Sequence, residues 1–166
     1  MGIHTDMKNK LFKGSQLFLA ASISAIAIAN LSSPVNSQSD NATVIALTQT
    51  GCQFVETEAQ NYNYQTTSAA DCKKINGDTL AEREKEFKPL ELAAGEYVFQ
   101  VTNENVPYEL GFFLRGQGIS RATLPTTSGG GLTAGTTKEY KVTLRPGKYW
   151  ISCPLNPTPD YPLIVN

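Results

Sequence analysis

Three cysteines, Cys52, Cys72 and Cys153, are the residues of this chain best suited to chemistry, yet the groups that usually act beside a cysteine are missing. The only histidine is His4, and the only methionines are Met1 and Met7. Beyond residue 4 no imidazole is present to serve as general base or to activate a serine or a thiol. Thiol–disulfide chemistry would be carried by a Cys-x-x-Cys pair, and the three cysteines are far apart. Glu82, Glu84 and Glu86 lie in one charged run, which reads as a solvated face. Gly129-Gly130-Gly131 lacks the following Lys-Ser/Thr pair of a phosphate-cradling loop. It reads as part of a flexible surface connection over 115–136. An enzyme is therefore not expected.

The N-terminus decides the compartment. Lys8, Lys10 and Lys13 precede an apolar run from Leu17 to Ala29, and Val35-Asn36-Ser37 supplies a small-residue exit. Basic start, short apolar centre and small-residue exit are the parts of a secretory signal, here 1–37. The alternative, a retained transmembrane anchor, needs about 20 apolar residues, and the run reaches that only by including Asn30 and serines. No cysteine lies near the exit to take a lipid.

Setting aside 1–37, with its three lysines and one aspartate, leaves 129 residues and takes the net charge from −1 to −3. The remainder forms a single domain, 38–166, large enough to fold without a metal. It carries no basic patch for nucleic acid and no membrane span once the signal is gone. The destination is a periplasm, a thylakoid-type lumen or the extracellular space.

All three cysteines lie in the exported part, where oxidation favours pairing, and an odd number leaves one over. Cys52 and Cys72 are nearest in sequence and are expected to pair, leaving Cys153 free; the alternative leaves Cys72 spare. The polar segment 56–78 is expected to be a packed loop pinned by that bridge. Thr79-Leu80-Ala81-Glu82 fits a capping box opening one short exposed helix. Strands are expected at 43–50, 88–92, 96–103, 108–114, 138–144, 148–152 and 163–165, separated by Gly, Pro and Asn turns. Short strands at this spacing indicate an antiparallel β-sandwich.

Over residues 87–166 the chain resembles the cupredoxins. Phe87 to Asn103 is similar to their strand pair ending in asparagine, and Val106-Pro107-Tyr108-Glu109-Leu110 to the segment bearing their first histidine ligand. Leu144-Arg145-Pro146-Gly147-Lys148-Tyr149-Trp150-Ile151-Ser152-Cys153-Pro154 resembles the strand that ends in their copper thiolate. The resemblance implies an all-β Greek-key sandwich, here with a disulfide-pinned N-terminal loop.

A blue-copper site needs two imidazoles, a thiolate and a weak axial ligand. Tyr108 stands where the resemblance puts the first histidine, and the loop Pro154-Leu155-Asn156-Pro157-Thr158-Pro159-Asp160-Tyr161-Pro162 has neither histidine nor methionine. The type 1 copper site is therefore expected to be degenerate. Cys153, Tyr108, Asn156 and Asp160 are the weak metal candidates that remain, and no cofactor is expected. The four prolines stiffen the loop, so Leu155, Pro157, Pro159 and Tyr161 are candidates for a preorganised protein-binding surface, its partner unknown. The expected function is a non-catalytic binding or structural module; the alternative is copper handling or electron transfer through Cys153.

Overall fold

The computed structural model describes residues 42–166, so the expected signal at 1–37 lies outside the described residues. The elements are β1 (Thr43–Thr50), β2 (Gln53–Phe54), α1 (Ala69–Arg83), β3 (Leu90–Leu92) and β4 (Gly95–Asn103), then β5 (Leu110–Gly116), β6 (Thr127–Leu132), β7 (Thr137–Leu144), β8 (Gly147–Ser152) and β9 (Tyr161–Val165). One sheet has the order β2-β1-β4-β7 and the other β3-β9-β8-β5-β6. No helix among the described residues is long and apolar enough to cross a membrane.

Alternation builds the core. Tyr97, Phe99 and Val101 of β4 and Leu110, Phe112 and Leu114 of β5 are buried at every second position, the period that puts side chains on one face of a strand. The faces meet through aromatic rings: Phe99 and Phe112 lie 5.4 Å apart between centroids, and Phe112 and Tyr140 5.0 Å. Each such side chain contributes about 1.5–3 kcal/mol by leaving water. The result is a sandwich-like pair of sheets around one core.

Both sheets are mixed, which corrects the expectation of a wholly antiparallel sandwich. β1 runs parallel to β4, and β3 parallel to β9. Parallel neighbours need a long crossover, and the chain between β1 and β4 supplies one containing β2, α1 and β3.

Three further expectations are corrected. The segment 56–78 is not all loop, because α1 starts at Ala69, well before Thr79. Ser68 is the N-cap, and Asp71 Oδ2 accepts from the backbone N–H groups of Thr67 and Ser68 at 2.8 and 3.0 Å, closing a capping box eleven residues ahead of the expected one. The connection 115–136 is not open loop either: 127–132 is β6, the edge strand beside β5. Gly111 alone faces Gly130 and Gly131 across that pair, a β-bulge, with Gly131 at φ +74° where glycine is favoured. β9 also begins earlier than expected and includes Pro162, which lies just before the β3–β9 pairing starts at Leu163.

Candidate functional site

Cys153 follows the last residue of β8 and is fully buried. Its sulfur accepts backbone N–H bonds from Gly111 at 3.2 Å and Asn156 at 3.3 Å. The bulge explains the first, since it takes Gly111 out of the β5–β6 ladder, leaving its N–H for the sulfur and its carbonyl for Gln49 Nε2 at 2.7 Å. Burial pushes the thiol pKa up, and the N–H donors of Gly111, Asn156 and Leu155 only partly offset it. The thiol is accordingly protonated and weakly nucleophilic near neutral pH.

Asn156, one turn further on and fully buried, joins three parts of the chain. Its Nδ2 donates to the Thr50 carbonyl at 2.9 Å. Its Oδ1 accepts from the Cys52 N–H at 3.3 Å and from the Tyr108 hydroxyl at 3.0 Å. The same oxygen lies 3.3 Å from Cys72 Sγ, a contact rather than a hydrogen bond, because that sulfur carries no proton. The Cys52–Cys72 disulfide has formed as expected, with Cα atoms 5.0 Å apart, and Cys153 is the free cysteine.

Of the four metal candidates, Cys153, Asn156 and Tyr108 are linked by hydrogen bonds, and Asp160 stands apart. Tyr108 turns its hydroxyl to Asn156 and Thr66, and the sulfur is met by the backbone N–H groups of Gly111 and Asn156 instead. Asp160 is held away on the surface by Arg115, whose Nη2 reaches both carboxylate oxygens at 2.7 Å. Among the described residues no three His, Cys, Asp or Glu side chains form a group able to hold a metal ion. Gln49 Oε1 is buried without a partner among the described residues, but one amide oxygen supplies no nitrogen ligand. The residues present do not fit a copper ion.

The partner-binding candidates also separate. Leu155 is 45% exposed, whereas Pro159 is buried and Pro157 is half-buried with its carbonyl accepting from Asn76 Nδ2 at 2.6 Å. Tyr161 must be corrected outright: it is fully buried, its hydroxyl donating to Glu58. The presented surface is instead a groove of about 340 Å³ lined by Gly111, Phe112, Phe113, Ser128, Gly129, Gly130, Pro154 and Leu155. Sequence reasoning missed this groove, because Ser128, Gly129 and Gly130 come from a segment read as flexible connection.

A second cluster was also missed. Arg83, buried at the end of α1, donates through Nε to Glu58 Oε2 at 2.9 Å and through Nη2 to Oε1, while Nη1 reaches Asn76 Oδ1 at 2.7 Å. Its guanidinium lies 5.3 and 5.2 Å from the ring centres of Tyr62 and Tyr64. Burial opposes the Arg83 charge, but the Glu58 carboxylate more than offsets it, so the pKa is raised above its ordinary value. No family model matches the chain, and no curated protein matches it.

Proposed function

We propose that this chain is an exported cupredoxin-like domain without a type 1 copper site, acting as a non-catalytic module that binds a protein partner. Supporting the family assignment are the two sheets, the Asn103 side chain that closes the turn after β4 through Val106, and the strand from Gly147 to Ser152 ending at a buried cysteine. The observation that carries the functional reading is the enclosure of Cys153: its sulfur is held by backbone N–H groups while the Tyr108 and Asn156 side chains bond to each other. A copper ion there would have to break those bonds and still lack nitrogen ligands. The partner surface is the open groove beside Leu155, lined by Gly111, Phe112, Phe113, Ser128, Gly129, Gly130 and Pro154.

The test is site-specific photo-cross-linking in the exporting cell, with the probe at Leu155 and a control probe at the exposed Val44. A discrete adduct from position 155 that position 44 does not give supports the reading. The same pattern from both positions, or none from 155, contradicts it.

A second reading, copper handling through Cys153, draws on the N–H donors that favour a thiolate. Burial outweighs them in the free protein. If Cys153→Ser took up copper as the parent does, this reading would be wrong.

A further inference from the structure

Helix α1 is attached to the sandwich in an unusual way. Of its inward side, Cys72, Ile75, Asn76, Thr79, Leu80 and Arg83, only Cys72 and Arg83 are buried; the two large apolar side chains, Ile75 and Leu80, are half-buried and do not pack against the core cluster. Asn76 bonds the Pro157 carbonyl and Arg83 bonds Glu58. The covalent tie is Cys72–Cys52. One of these attachments, Asn76 to Pro157, falls on the loop that encloses the free thiol, and Cys72 Sγ also touches Asn156, whose N–H holds the Cys153 sulfur. Cys52 sits at φ +65°, a conformation costly for a residue with a side chain, so the turn carrying it gains from being held.

We infer that α1 is a lid latched by the Cys52–Cys72 disulfide over the loop that buries Cys153. In the latching step the two thiols pass two electrons and two protons to the disulfide of an oxidant, which leaves as a dithiol, and the Cys52–Cys72 sulfur–sulfur bond forms. Before that step the helix has too little apolar surface to stay docked by burial alone. Its loss frees Pro157 and takes the Cys72 contact from Asn156, which loosens the loop so that the Cys153 thiol becomes reachable from solvent. The proposal needs neither copper nor a partner in the groove, so it is independent of the function proposed above.

The experiment uses Cys52→Ser/Cys72→Ser, and in parallel the parent protein reduced with a phosphine. Hydrogen exchange is followed over Ala69–Arg83 and over β4, β5 and β8, and Cys153 is labelled with a disulfide chromogen. The bridge spans a sequence separation of 20, and closure of a loop that size shifts an opening equilibrium by about a hundredfold. Exchange in α1 and labelling of Cys153 should therefore both accelerate by about that factor, with the strands still protected. In the reduced parent, Cys52 and Cys72 are identified separately by peptide mass. If α1 keeps its protection without the bridge, or Cys153 stays unreactive while α1 opens, the lid does not exist. If the strands lose protection along with α1, the disulfide supports the whole domain and the latch is equally wrong.

Discussion

Replacing Arg83 by methionine should cost this domain a large share of its stability. Arg83 supplies two charge-assisted hydrogen bonds to Glu58, a third to Asn76, and a cation facing two tyrosine rings. Glu58 is 2% exposed, so the variant leaves its carboxylate buried, with the Tyr161 hydroxyl still donating to it. That hydroxyl keeps its proton, because burial and the neighbouring carboxylate push its pKa far above the ordinary phenol value. Removing one partner of a buried pair costs about 3–5 kcal/mol, against a total of roughly 5–15 kcal/mol for a domain. Urea unfolding followed by Trp150 fluorescence measures the loss, with an unchanged slope establishing that compactness is preserved. In Arg83→Met/Glu58→Gln the buried charge is gone, and about half of the loss or more should be recovered. A loss below about 1 kcal/mol in the single variant would mean that water reaches Glu58, and the buried-pair reasoning would fail.

Other expected outcomes rest on single features. Cys153, Tyr108, Tyr140 and Tyr161 all have pKa values raised by burial, so the folded state keeps protons that the unfolded chain gives up. Stability should hold below the ordinary thiol and phenol values of 9.0 and 10.0 and fall as pH rises above them, with a shallower onset in Cys153→Ala; urea midpoints across alkaline pH check this. Hydrogen bonds from Thr67 and Ser68 lower the Asp71 pKa, so capping of α1 is present above the ordinary value of 3.8 and is lost as pH falls beneath it. Amide exchange at 69–73 should accelerate on that acid side, and Asp71→Asn should remove the pH dependence. Gly111→Ala would bring a Cβ within 2.6 Å of the Gly129 carbonyl oxygen, with no flexible side chain to yield. It should cost about 1–3 kcal/mol in the same urea assay and make Cys153 easier to label.

Strand positions were the legible part, because alternation at Tyr97, Phe99 and Val101 and at Leu110, Phe112 and Leu114 is driven by burial of one face. The pairing of Cys52 with Cys72 was also legible, from compartment and separation. Helix α1 was not, for a physical reason: Cys72, Asn76, Thr79 and Arg83 repeat at helical spacing, but a polar stripe gives no hydrophobic period. The Thr79-x-x-Glu82 box inside the helix drew the expected start too far along. Gly129 to Gly131 read as loop because glycine weakens a strand in isolation; pairing with β5 and the bulge opposite Gly111 override that preference. Of the site, the free Cys153 was foreseen as the cysteine left over from the Cys52–Cys72 pairing, whereas the Asn156 hub and the Arg83–Glu58–Tyr161 cluster join residues 25 to 106 positions apart, which no local pattern encodes.

The central claim, a cupredoxin-like enclosure that takes no copper, is tested most directly by titrating the purified protein with Cu(II) while recording visible absorption. A thiol enclosed in this way should give no intense charge-transfer band and no stoichiometric uptake that depends on Cys153. An intense blue band saturating at one copper per chain, and lost in Cys153→Ser, would contradict it.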